Sequence, residues 1–164
     1  MRTNRSTSTN FQCVFPKLPT STDLLDSREL VLNIHGAVIP GLSVEIIESQ
    51  WQGMSVEIGG ATLFEDWTVS FIVDNELYNW HLLYQWMMLI CNKSDIPCGS
   101  FPNYKIDAHI KVTNNFNQTI LKIKFIDVWP KALGAVSFSY REGQSILESD
   151  LTLSITRYEV DRID

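Results

Sequence analysis

The stretch from Glu65 to Cys91 reads EDWTVSFIVDNELYNWHLLYQWMMLIC, and two different periods meet inside it. Trp67, Val69, Phe71 and Val73 fall on one side of a period-two segment and Thr68, Ser70 and Ile72 on the other, the pattern of a half-buried strand. After Asp74 and Asn75, either of which can cap a helix with its side-chain oxygen, the period changes. Apolar residues recur at Leu77, Trp80, Tyr84, Met87, Met88 and Cys91, one helical stripe. Leu83, Trp86, Leu89 and Ile90 widen it, so this helix needs more than one covering partner. No other segment has convincing helical spacing, which predicts a mainly β protein with one substantial helix.

The composition is that of a globular chain. At 164 residues, 45% hydrophobic and 20% charged, it is long enough for one continuous core and is neither disordered nor membrane-like. Its longest apolar run, Trp86 to Cys91, is far shorter than the roughly 20 residues that span a bilayer, so no membrane association is expected. Residues 1–10, MRTNRSTSTN, have no apolar segment behind their two arginines; a flexible polar arm is expected there, not a secretory leader, ahead of a single domain over 11–164. The net charge of -6 argues against general nucleic-acid affinity, which depends on clustered cations releasing counterions. Cys13, Cys91 and Cys98 have no metal-ligand spacing. They are buried or idle thiols, or they form a disulfide within the chain or between subunits after release into an oxidising medium.

Around the central stretch the pattern is of strands. Asn10 to Pro19 is expected to be extended and anchored by Phe11 and Phe15, and Glu29 to Ile34 alternates as a first core strand. From Leu42 to Leu63 the chain reads as a hairpin: one strand from Leu42, a polar tip at Gln50-Trp51-Gln52-Gly53, and a return from Met54 to Ile58 before a turn at Gly59-Gly60. Such a hairpin folds back on the core or projects; if it projects, Trp51, Met54 and its backbone edges need a partner. Beyond a loop from Asn92 to Asn103, strands are expected at Lys105 to Thr113, Ile120 to Val128, Leu133 to Tyr140 and Ile146 to about Tyr158, with Pro130 and Gly134 at a corner. The sum is roughly eight strands and a helix, a β-barrel or sandwich.

Catalytic chemistry finds no support. His35, His81 and His109 accompany no nucleophile in any motif, and Glu65-Asp66, as neighbours on a strand, would point to opposite faces. There is no phosphate-binding, dinucleotide, zinc-protease or nucleophile-elbow pattern. Neither an enzyme nor a cofactor is expected. Trp67, Trp80 and Trp86 are core residues by period, whereas Trp51 and Trp129 are harder to bury within one subunit, and Trp is enriched where proteins meet.

Three segments together carry a family resemblance: Thr62-Leu63-Phe64-Glu65-Asp66-Trp67-Thr68-Val69, the tryptophan of the following helix (Trp80 or Trp86), and Asp127-Val128-Trp129-Pro130-Lys131-Ala132-Leu133-Gly134, with a closing strand from Leu151 to Tyr158. On these the chain, from about Asn10 onward, resembles the tail tube proteins of contractile-tailed, T4-like bacteriophages and, more loosely, the inner-tube proteins of contractile injection systems. The resemblance implies a structural virion protein, assembled in the host cytoplasm, whose copies form hexameric rings with a continuous inner β-barrel. The rings stack into a conduit for DNA ejection. The implied partners are other copies, the tail sheath protein, and the baseplate and tape-measure proteins; DNA would pass through the lumen without specific binding. The hairpin would reach the neighbouring ring. The residues expected at contacts between copies are Glu48, Gln50, Trp51, Gln52 and Met54, with Phe11, Phe15 and Trp129. A baseplate subunit that initiates the tube would share this domain. From a different class, a monomeric β-sandwich module binding glycan or peptide remains an alternative.

Overall fold

The computed structural model describes residues 10–16, 18, 33–91, 104–140 and 146–163. Among these residues nine strands and one long helix follow in order: β1 (Phe11–Val14), β2 (Ile34–Ala37), β3 (Leu42–Trp51), β4 (Met54–Phe64), β5 (Trp67–Ile72), α1 (Tyr78–Cys91), β6 (Ile106–Thr113), β7 (Thr119–Leu133), β8 (Glu148–Ser154) and β9 (Arg157–Arg162). Seven of the strands join in one antiparallel path, β1-β6-β7-β8-β5-β2, with β9 paired to β7; β3 and β4 form a separate two-stranded sheet. The path ends at β1 and β2, so among the described residues the sheet does not close on itself.

The 15-residue strand β7 makes this arrangement possible. Its first half, Leu121 to Ile126, pairs with β9 and β6, and its second half, Trp129 to Leu133, pairs with β8. Between them Asp127 takes φ 57, a left-handed conformation that Asp tolerates better than most side chains. The bend is therefore at Asp127, three residues ahead of Pro130, where the corner was expected to begin. Pro130 instead lies within the strand, where a register shift between Pro130 and Ala132 accommodates its missing N–H. No strand runs from Leu133 to Tyr140, because β7 ends at Leu133 and Gly134 donates its N–H to Asp150 across 2.6 Å. At Gly134 a Cβ would sit 2.8 Å from the Asp150 nitrogen, so only glycine lets the chain come this close to β8. The single closing strand expected from Ile146 to Tyr158 is likewise two, broken at Ile155-Thr156 so that β8 and β9 follow the two halves of β7.

The period-two residues of β5 meet the centre of the core. Trp67, Val69, Phe71 and Val73 are buried, and the Trp67 ring stacks between Phe15 (5.4 Å) and Phe125 (4.2 Å). Removing that ring from water stabilises the fold by on the order of 4–6 kcal/mol at ordinary area coefficients. Helix α1 buries Leu82, Leu83 and Trp86, and the Trp86 indole N–H donates to the Tyr104 carbonyl (2.8 Å). Its entry is tied down by a buried Asn79 and not by Asp74 or Asn75. The Asn79 amide donates to the Ile72 carbonyl (2.7 Å), while its oxygen accepts from the Asp74 and Trp80 backbone N–H groups. Those bonds hold a turn in which Leu77 sits at φ 54, a strained position for a Leu.

Of the strand expected over Glu29 to Ile34, only Asn33 and Ile34 are described, and Ile34 opens β2 (Ile34–Ala37); residues 29–32 fall outside the described residues, as do the loop over 92–103 and residues 1–9 of the expected arm. Glu65 and Asp66 form the short link between β4 and β5 and not part of a strand.

Candidate assembly interface

The β3–β4 hairpin turns on two residues, Gln52 and Gly53, both at positive φ (50 and 81), the geometry that matches the twist of the flanking strands. This turn fixes the register: Trp51 lies opposite Met54, Ser49 opposite Val56, Glu48 opposite Glu57 and Ile47 opposite Ile58. Because opposite residues share a face, the outer half of the ribbon has one face of Ile47, Ile58, Val56, Trp51 and Met54, interrupted only by Ser49, and another of Glu48, Glu57, Gln50 and Ser55. Strand β4 does not stop at Gly59-Gly60. It continues to Phe64, with the register slipping between Val44 and Ile46, a bulge where a turn was expected.

Every residue of β3 is exposed, as is nearly all of β4; Trp51 is 70% and Met54 68% exposed. The hairpin projects. Its root is clamped to the body by several contacts. Glu65 accepts from the Gly41 N–H (3.1 Å), Phe64 packs edge-on against Tyr158 (5.1 Å), and the Tyr158 hydroxyl donates to the Pro40 carbonyl (3.3 Å). Asp66 pairs with Lys131 at 2.6 Å, which joins the two segments, one around Trp67 and one around Pro130, that carry the family resemblance. A ribbon held firmly at its root and left bare along its length presents an apolar surface that water disfavours.

The residues expected at contacts between copies separate here. Trp51 and Met54 share the apolar face, Gln52 is in the turn, and Glu48 and Gln50 point the other way. Phe15 is not available for such a contact, since it is buried against Trp67 in the core. Phe11 packs in part against the same core, and Trp129 is half-buried against Tyr104. Ile47, Val56 and Ile58 complete the apolar face and were not foreseen; counting outward from a two-residue Gln52-Gly53 turn is the signal that finds them. Cys13 is a free thiol, buried in the core and pushed up to about 12 by that burial, so it is a poor nucleophile for disulfide exchange. The Cys91 side chain and Cys98 lie outside the described residues.

The histidines sit apart. His35 is 3.8 Å from Glu148, His81 stacks on Tyr84, and His109 lies among Lys111, Lys122 and Lys124. Burial and then those three lysines hold the His109 imidazole below its ordinary range. Among the described residues no three His, Cys, Asp or Glu side chains gather in a metal-binding group.

Comparison with known proteins follows the same lines. The chain is 26% identical over 167 residues to the tail tube terminator protein of Enterobacteria phage T4, spanning 97% of this chain and 90% of that protein. It shares its fold with the tube-terminating cap of the anti-feeding prophage at a TM-score of 0.66 and 16% identity, over 99% of this chain and 95% of that one. It shares it equally with the sheath/tube terminator of the PVC extracellular contractile injection system, again at 0.66 and 16%, over 98% and 99%. Residues 6–161 match the phage tail tube protein family, and the chain belongs to that family.

Proposed function

We propose that this chain is a ring-forming structural subunit of a contractile phage tail that ends the tail tube. Six copies close a ring, the ring sits on the last layer of tube subunits, and the hairpin grips that layer through Trp51, Met54, Val56, Ile47 and Ile58. The work is mechanical: the ring stops growth and keeps the channel open for DNA, and no bond is made or broken. The observation that carries this reading is the likeness to the T4 terminator over nearly the whole of both chains. The exposed hairpin supports it independently, because an apolar ribbon of this kind is stable in water only when covered. Its partners would be other copies of itself, the tube protein beneath it and the sheath protein around it, and its place the tail of the virion.

A repeated tube subunit is the second reading, favoured by the family match itself. The two are separated by adding the purified chain to the tube protein of the same virion as it polymerises. A terminator appears at one end of each tube and shortens the length distribution in electron micrographs. Copies incorporated along the whole tube would instead make it a tube subunit.

A further inference from the structure

Two pairs of like charges lie directly opposite each other on facing strands, one pair of each sign. On the polar face of the hairpin Glu48 is opposite Glu57. On the outer face of the main sheet Lys111 of β6 is opposite Lys122 of β7. Neither pair enters an ion pair among the described residues. Of their neighbours, Lys124 is already held by Asp107 at 3.1 Å, and Asp161, the cross-strand partner of Lys122 on β9, makes no ion pair with it. His109, opposite Lys124, is disfavoured as a cation by burial and by the surrounding lysines, so it neither adds to nor neutralises their charge.

Like charges opposite one another weaken a sheet, and among the described residues no ion pair takes up either pair, although Asp161 lies across from Lys122 on β9. The two pairs match in shape as well as in sign. Each spans the same cross-strand separation, about 4.5–5.5 Å between Cβ atoms, so a ribbon laid along the sheet brings one pair over the other. We propose that the polar face of the hairpin of one copy lies on the outer face of β6 and β7 of another copy, with Glu48 and Glu57 meeting Lys111 and Lys122. The contact rests on the reading of this chain as a self-assembling ring subunit and adds to it a second, electrostatic side of the hairpin. The apolar face is left for a different surface, so one hairpin joins two neighbours. In a chain of net charge -6, which repels its own copies on average, such a contact of opposite charges gains selectivity.

The test uses the full chain in sedimentation velocity across a concentration series. The wild type is compared with E48K/E57K, with K111E/K122E, with the chain carrying all four reversals, and with the neutral K111Q/K122Q. Each double reversal should raise the concentration for half-assembly by at least about tenfold, and the four reversals together should return it to within about threefold of wild type. K111Q/K122Q should weaken assembly while melting no lower than wild type, which separates a lost contact from a damaged fold. If the wild type assembles and the reversals leave it unchanged, or the combined chain assembles no better than either double variant, the pairing is wrong and the ring reading stands. A wild type that stays monomeric both alone and with tube ends present removes the ring reading and this contact with it. If K111E/K122E assembles normally but loses retention of a short duplex DNA, the lysines face a polyanion and the proposal is overturned.

Discussion

Strands β5 and β3 are built from the same alternating pattern, yet β5 buries every second residue and β3 buries none. Strand β5 lies between β2 and β8 with Phe15 and Phe125 against its Trp67; among the described residues β3 pairs with β4 alone. Alternation thus states that one face needs cover and is silent on where the cover comes from. In the first region it comes from the chain itself and stabilises the fold. In the second, on the function proposed above, it comes from another molecule, and burying Trp51, Met54, Val56, Ile47 and Ile58 would contribute roughly 1.5–3 kcal/mol for each large side chain covered.

The sharpest way to break that contrast is Trp67→Ala. Losing a ring stacked on both sides should cost about 3–5 kcal/mol of unfolding free energy in urea titration; a loss under about 1 kcal/mol would move the core's centre elsewhere. Asn79→Ala comes next, at about 1–3 kcal/mol, because it strands the Ile72 carbonyl and the N–H groups of Asp74 and Trp80. The expected signature is a lower melting temperature with association intact, since the hairpin is untouched.

A pH dependence sharpens the comparison further. The folded His109 resists protonation, whereas the unfolded chain takes the proton near the ordinary value of 6.5. Its contribution to stability is therefore complete above that value and is lost as pH falls through it toward the depressed folded value. Asp107, held down chiefly by its hydrogen bond from Lys124, acts in the same direction at lower pH, below its ordinary 3.8. Melting temperatures at about pH 7.5 and about pH 5 should differ less for His109→Gln than for wild type. An equal drop in both would dismiss His109 as the source.

The smallest expected change in stability comes from the hairpin. Trp51→Ser combined with Val56→Thr should leave the unfolding free energy within about 0.5 kcal/mol of wild type, since both side chains are exposed in the single chain. Assembly measured by light scattering should be lost. A variant that assembles normally would show that this face is not the grip.

The strand at Trp67 and the helix after it were legible because each keeps one period over enough residues to exclude the other. Glycine and proline were more ambiguous. Gly59-Gly60 suits a turn and equally a bulge, and only the pairing of β4 beyond it decides for a bulge. Pro130 marks a corner in many sheets, yet here a register shift absorbs it while Asp127, a residue with no strong preference for φ 57, makes the bend. Phe15 lay in a segment with Pro16 beside it and no period, so nothing local revealed that it stacks on Trp67. On the hairpin, Trp51 and Met54 were found from their position at a tip. Ile47, Val56 and Ile58 became visible only with the register set by Gln52 and Gly53.

Amide hydrogen exchange across residues 42–64, in the free chain and in the assembled ring, tests the two-region account most directly. In the free chain the hairpin should exchange far faster than Trp67–Ile72, because a ribbon paired on one side only and bare on both faces opens locally without unfolding the body. On assembly the same amides should slow while those of β5 stay as they were. A hairpin already as protected as β5 in the free chain, or one that gains nothing on assembly, would contradict the account.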